Sequence, residues 1–343
     1  MNNNIIKDID LVFTWVQPDD MKCALERKMH QAMTSLTMEK RRLPPSEIDH
    51  TKTELFFALR LALKNLPWVR KIFILVHDNQ VFRGIDFCEK KDKIQIVYHS
   101  DIFPNPIIEL PTFNSHAIET CIHNIPGLAE HFIYFNDDCY VIEPIESPMF
   151  FFKKENEPYF FHDGITKRWF LHEKLPTNFA THYICCIQNH KLLDNTFGFQ
   201  QIRQKPWHQP LPFTKTLIGQ AESFFSSNWQ QTRESKFRSI HNIVPLYLAL
   251  ELALVRKQIS MAPWYHSASS ISMWRSCPSK MHDWEILKLC IQNRKTTSSF
   301  SFSFTAKFSK KAILFFCLND MSDDTPISIR QNVFLFLNRL IES

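Results

Sequence analysis

Glycine is nearly missing from this chain: five occur in 343 residues, roughly 1.5% where soluble domains average about 7%. Phosphate-cradling loops depend on glycine, because only a residue without Cβ lets backbone N–H groups approach a diphosphate closely. Neither G-x-G-x-x-G nor G-x-x-x-x-G-K-[ST] occurs, which excludes the usual dinucleotide fingerprint and the P-loop. Any nucleotide must be held another way.

Lys plus Arg number 40 against 35 Asp plus Glu, a formal charge of +5. Spread over a chain of this length, that charge argues against a cationic nucleic-acid grip, so no nucleic-acid partner is expected. An apolar content of 44% with 22% charged residues fits a folded chain with a sizeable core. The nine cysteines form no C-x-x-C pair, so neither a zinc site nor a disulfide framework is expected. The opening MNNNIIKDID lacks an apolar signal region, and no run approaches the ~18–20 apolar residues of a spanning helix. A reduced, cytoplasmic protein is expected, in reach of the inner face of the cytoplasmic membrane.

Apolar runs alternate with helical stretches. Ile9 to Val16 reads as a buried strand ending at Gln17, Pro18, Asp19 and Asp20. Met21 to Arg42, charged and free of Gly and Pro, suits an exposed helix or a mobile insertion after that strand rather than a catalytic centre. Thr51 to Glu54 has the T-x-x-E form of a capping box before the helical run Leu55 to Leu66, which Pro67 stops. Lys71 to His77 and Lys93 to Tyr98 read as further strands, Asn114 to Asn124 as a helix capped by Asn114 or Ser115, and His131 to Phe135 as a strand leading into Asn136, Asp137 and Asp138. Cys139 to Ile142 resumes β character, and Pro148 to His162 is aromatic and β-rich. Asn178 to Asp194 and Ile243 to Ile259 read as helices. Ser299 to Phe304 alternates Ser with Phe as a half-buried strand does, and Ala312 to Leu318 with Ile327 to Ile341 close the chain as strand and helix. The pattern predicts one α/β domain over residues 1–343 with a mixed, mostly parallel sheet flanked by helices. Within it, 17–50 reads as a helical insertion, 148–311 as a largely helical part, and 312–343 as the closing strand and helix.

Acids end three of these strands: Asp19 and Asp20, Asp137 and Asp138, and Asp320 after Asn319. Open α/β sheets bind ligands at the carboxyl ends of their strands. If the strands are parallel, the acids converge there, where a hard cation and a diphosphate find oxygen ligands. Each pair also suits a solvated turn. His208, in the rigid Pro206-Trp207-His208-Gln209-Pro210 loop, has the residue type of a general base at neutral pH. Arg238 offers two N–H donors to a phosphate, or to a surface carboxylate.

In order, the segments IDLVFTWVQPDD, ELFFALRLALKNLPWVRKIFILVHDN, LPTFNSHAIETCIHNIPGLAEHFIYFNDDCYV, His208 to Leu250 and Ala312 to Asp320 resemble the Stealth family of sugar-phosphate transferases. That family includes bacterial capsular polysaccharide phosphotransferases and the lysosomal-enzyme N-acetylglucosamine-1-phosphotransferase. The resemblance implies a GT-A-like core that binds a UDP-hexose with Mg²⁺ or Mn²⁺ and transfers hexose 1-phosphate to a sugar hydroxyl. Asp137, His208 and Arg238 then fall on catalytic positions, Asp138 and Asp320 on metal positions, and Asp10, Trp15, Arg70, Asn114, Glu119 and Asn319 on substrate-binding ones. Two departures stand out: Gln17 and Pro18 occupy the place of an Asp-Gly or Asn-Gly pair, and Asn242 that of an acid.

The reaction implied attacks the phosphorus bonded to the sugar and expels UMP, so the sugar's C1–O bond survives. The acceptor is a polysaccharide or lipid-linked glycan, and Lys307, Lys310 and Lys311 beside Phe308 offer a basic edge to membrane-bound machinery or to solvent. A glycosyltransferase releasing UDP, and a sugar-nucleotide-binding protein without activity, are the competing readings.

Overall fold

A computed structural model describes residues 8–16, 21–34, 53–78, 80, 90–153, 157–167, 181–198, 203–263, 270–275, 315–320, 335 and 337–342. The loop residues 17–20, the Ser-Phe segment and the three lysines after it lie outside them, as do residues 35–52 and most of the expected last helix.

The strands are β1 (Ile9–Thr14), β2 (Ile72–Val76), β3 (Ile94–Tyr98), β4 (His131–Asn136), β5 (Cys139–Val141), β6 (Tyr159–Phe160), β7 (His162–Lys167), β8 (Arg203–Pro206), β9 (Leu211–Thr214), β10 (Ser260–Met261), β11 (Ser270–Arg275) and β12 (Phe315–Asp320). Between them lie α1 (Met21–Thr34), α2 (Glu54–Asn65), α3 (Pro106–Glu109), α4 (Ser115–Glu119), α5 (Thr181–Phe197), α6 (Lys215–Phe224), α7 (Ser226–Arg233) and α8 (Pro245–Val255). The main sheet runs β3-β2-β1-β4-β9. Its first four strands are parallel, and β9 joins antiparallel to β4. β1 and β2 are apolar and buried along almost their whole length, as strands covered on both faces must be. The expected α/β architecture is the observed one, with α1 as the helix after the first strand.

Strand order locates the crevice. From β1 the chain steps outward to β2 and β3, then returns to lay β4 on the other side of β1. The order reverses between β1 and β4, and open sheets part at that point to leave a cleft at their carboxyl ends. Thr14 pairs with Asn136 as the last register pair there. Immediately below, Phe13 and Phe135 are opposed and stack at 4.7 Å, a contact of about 0.5–1.5 kcal/mol beyond its buried area. Both rings are fully buried beneath the strand ends.

Three expectations need correction. α2 begins at Glu54 with Thr53 as N-cap and no side-chain cap bond, so the expected capping box does not set this helix start. Glu54 instead sits in the first turn, where its charge suits the positive end of the helix. The Asn114–Asn124 helix is short: Asn114 caps α4, accepting from the His116 N–H at 3.1 Å, but α4 ends at Glu119 and a 3₁₀ turn follows at Ile122–Asn124. Finally, β12 does not enter the parallel sheet. It pairs antiparallel with β5, with Cys317 opposite Cys139, and parallel with β11. Continued along the strand, that register carries Asn319 and Asp320 past the Asp137–Asp138 turn, by antiparallel rather than parallel pairing.

Candidate active site

The Asp137–Asp138 turn joins β4 to β5 at the carboxyl end of the switch point, and both residues are half-buried. A ladder of polar groups climbs to it from β1. Thr14 Oγ1 lies 3.0 Å from the Tyr134 hydroxyl, which donates to Asn136 Oδ1 at 3.2 Å, and the Asn136 amide nitrogen lies 3.3 Å from His208 Nε2. The other ring nitrogen, Nδ1, is 3.2 Å from Cys317 Sγ. Trp207 fixes this loop: it stacks on Phe161 at 4.4 Å, meets Phe315 edge-on at 5.5 Å and donates its indole N–H to Pro210 O.

Arg238 arrives from a different direction, and the Pro-Thr-Phe-Asn-Ser turn explains how. The Phe113 N–H donates to Lys236 O at 2.8 Å, while Phe113 stacks on Phe237 and on His77. Asn114 is buried and spends its amide on the same loop, donating to Ser235 O, Phe237 O and Asn242 Oδ1. Asn242 Oδ1 also accepts from the Ser239 N–H, and its Nδ2 donates to Ser235 Oγ. Arg238 Nη2 then donates to Ser115 Oγ at 2.7 Å. Asn114 and Asn242 therefore shape the arginine loop. Asn114 is corrected from substrate ligand to positioning residue, because its amide is already committed to the protein.

Electrostatics tie the two halves together. Burial lowers the His208 imidazole to about 4, helped by the Lys205 and Arg238 charges, so the ring is neutral at pH 7. Burial raises the Asp138 carboxyl to about 7, and the adjacent Asp137 charge adds to the shift. Glu119, at the end of α4, is raised to about 8 by burial, with Arg238 opposing, and its buried Oε2 meets no hydrogen-bond partner among the described residues. His116 and His182, whose rings face each other with nitrogens 3.2 Å apart, are both driven well down by burial, with Arg238 also lowering them.

Glu119 gives a pH signature. Its folded value lies above the ordinary carboxylate value, so its contribution is full below about pH 4.5 and is lost as pH rises through about 8. Glu119→Gln, which cannot ionise, is expected to exceed the wild type in urea stability at pH 8.5, by on the order of a few kcal/mol, with the gap closing towards pH 4.5. A gap independent of pH would contradict burial of the carboxyl.

Asp10 and Arg70 are corrected outright. Asp10 is fully buried near the amino end of β1, at the edge of the sheet opposite the crevice. Its carboxylate accepts from Arg70 Nε and Nη2, the Lys71 N–H and the Ala129 N–H. The pair clamps β1, β2 and the segment before β4, at the end of the sheet away from the switch-point crevice. Trp15 stands one residue beyond β1 at the crevice and is buried. Asn319 and Asp320 end β12, and their side chains are not among those described.

Cys139 and Cys317 did not figure among the expected site residues, since their spacing fits no cysteine motif. The fold nonetheless gathers Asp138, Cys139, His208 and Cys317 so that one donor atom of each lies within 4.8 Å of the others. Their adjacency to the two acidic strand ends was the available signal. This donor set is one carboxylate, one imidazole and two thiols. Mg²⁺ and Mn²⁺ prefer oxygen cages, so the group as described does not fit the hard cation expected at Asp138. Lys205, His116, His182 and Tyr134 were also missed, being single polar residues inside apolar or charged runs.

An open, mostly parallel α/β sheet with two carboxylates and a histidine beside its switch point has the architecture in which a crevice opens at the carboxyl ends of the strands. Residues 49–159 match the family model described as Stealth protein CR2, conserved region 2. It is similar to the capsular polysaccharide phosphotransferase fcs1 of Haemophilus influenzae, 32% identical over 237 residues, 68% of this chain and 62% of that protein. The exopolysaccharide phosphotransferase SCO6021 of Streptomyces coelicolor is 32% identical over 244 residues, 71% of this chain and 42% of that one. The chain thus spans less than two thirds of the length of either relative. Among solved structures, the galactosyltransferase LgtC with donor and acceptor sugar analogues aligns over 97% of this chain and 95% of that one, at 8% identity and a TM-score of 0.43. A likeness that distant carries no functional argument.

Proposed function

We propose that the chain is a phosphotransferase that moves hexose 1-phosphate, N-acetylhexosamine 1-phosphate foremost, from a UDP-sugar to a hydroxyl of a capsular polysaccharide, exopolysaccharide or lipid-linked glycan. The observation that carries this reading is a paired-acid turn at the switch point with an arginine whose charge reaches the histidine beside it, in a chain 32% identical to a named phosphotransferase. A GT-A-like core is part of the same proposal.

In the reaction, the acceptor oxygen forms a bond to the phosphorus that carries the sugar. The bond from that phosphorus to the UMP oxygen breaks, and its electron pair leaves with UMP. The sugar's C1–O bond is untouched, so its anomeric configuration is retained. Phosphoryl transfer is governed by positioning and by stabilising charge spread over the non-bridging oxygens, and that stabilisation is the role of Arg238. Asp137 takes the hydroxyl proton. His208 is the less suitable base, because both its ring nitrogens are engaged and burial holds it to about 4. Glu119 and Trp15 border the donor side. No step is assigned to Mg²⁺ or Mn²⁺, which the described donors do not fit.

Among the described residues no helix is long and apolar enough to cross a membrane. The proposed setting is the cytoplasmic face, beside membrane-bound glycan assembly. Incubation with a panel of UDP-hexoses and a capsule-type oligosaccharide is expected to give acceptor-dependent UMP, read chromatographically. UDP in its place would overturn phosphotransfer in favour of an ordinary glycosyltransferase.

A further inference from the structure

We infer that Asp138, Cys139, His208 and Cys317 form a site for a thiophilic divalent cation, with Zn²⁺ the metal whose preferences the four donors match. The inference rests on the donor geometry and not on the reaction proposed above. Zinc binds cysteine sulfur at about 2.3 Å and histidine nitrogen or carboxylate oxygen at about 2.0–2.2 Å. Tetrahedral geometry with those bonds sets neighbouring donors roughly 3.3–3.8 Å apart. Two of the contacts are close to that spacing: His208 Nδ1 to Cys317 Sγ at 3.2 Å and Cys139 Sγ to Asp138 Oδ1 at 3.5 Å. All four donor atoms lie within 4.8 Å of one another. Both thiols are buried, and the imidazole and carboxylate are half-buried.

The surroundings orient the ligands as zinc sites require. A metal-bound imidazole donates its other N–H to an acceptor that fixes the ring. His208 Nε2 faces the Asn136 amide at 3.3 Å, and a half-turn of that amide presents its oxygen. The amide NH₂ is then directed at the Tyr134 hydroxyl, which in turn can donate to Thr14 Oγ1. The strands hold the sulfurs, since Cys139 and Cys317 are direct partners in the β5–β12 pair.

Four protein donors fill a tetrahedron, the closed arrangement of structural rather than catalytic zinc. Such an ion fastens β12 and the Trp207–Pro210 loop to the Asp137–Asp138 turn. It leaves Asp137 outside the coordination sphere and removes His208 from proton transfer.

The test uses the full chain, purified without metal-chelate resin or added chelator. Elemental analysis is expected to find about one zinc per chain, the occupancy of a single closed site. Replacement by Co²⁺ is expected to produce tetrahedral visible bands with a near-ultraviolet thiolate-to-cobalt band. Cys139→Ser and Cys317→Ser each should lose that band, while Cys121→Ser, away from the site, keeps it. Because the cobalt spectrum of the wild-type chain is itself decisive, variants that fail to fold do not rescue the idea. Absence of stoichiometric zinc and of a thiolate band in the reduced wild-type protein would overturn the site. So would a Cys139–Cys317 disulfide found by mass spectrometry in the protein as isolated. Loss of UMP formation with zinc retained would instead count against the proposed reaction alone.

Discussion

Arg238→Ala is expected to lower turnover by about 10²–10³-fold, the loss seen when one preorganised donor to a developing oxyanion is removed. Arg238 is exposed at its loop, so deleting it opens no core and the melting temperature should stay close to that of the wild type. What is lost is a guanidinium held by Ser115 Oγ at 2.7 Å, on a loop buttressed by Asn114 and Asn242. Arg238→Lys is expected to recover only part of the rate, because an ammonium supplies charge without the planar fork. Donor affinity, measured by calorimetry, should fall much less than kcat. An alanine variant with wild-type turnover would remove Arg238 from the reaction.

Asp10→Ala is expected to act through stability instead. Four N–H donors, two of them on one guanidinium, converge on a carboxylate with no solvent exposure. The Arg70 side chain is 34% exposed and regains water, so the cost falls on the Lys71 and Ala129 N–H groups left without an acceptor, about 1–3 kcal/mol each. Urea denaturation should register a loss of that size, while the fraction still folded binds donor normally. Wild-type stability combined with lost donor binding would return Asp10 to the substrate site.

Much of the sheet was legible because parallel strands covered on both faces are nearly continuous apolar runs. Ile9 to Phe13 and Ile72 to Val76 are such runs, and the Asn-Asp-Asp turn after β4 followed from the same logic. β8 and β9 were not legible. They are four residues each, and Pro206, Pro210 and Pro212 punctuate a stretch that composition alone assigns to loop. Proline is tolerated there because, among the described strands, β9 pairs only with β4, at the end of the sheet.

Within the site, Asp137, Asp138, His208 and Arg238 carry residue types that invite chemistry, and their segments could be picked out along the chain. The roles of Asn114 and Asp10 could not, since an amide or carboxylate looks the same in sequence whether it faces a ligand or its own backbone. Cys139 and Cys317 escaped for a related reason. Cysteine motifs are recognised by short spacing within one loop, whereas these two meet across paired strands.

The place of β12 in the fold sets an order of events during synthesis. β1 to β4 lie within the first 136 residues, and their sheet can close while the rest of the chain is still being made, as domains fold from the N-terminus at roughly 5–20 residues per second. Cys317 meets His208 across a separation of 109 residues, and closing so long a loop comes late and slowly. Until β12 emerges from the ribosome, the corner beside Asp138 lacks one wall. The nascent chain therefore carries a formed scaffold while the corner beside Asp138 is still open, and that corner closes only once β12 has been made.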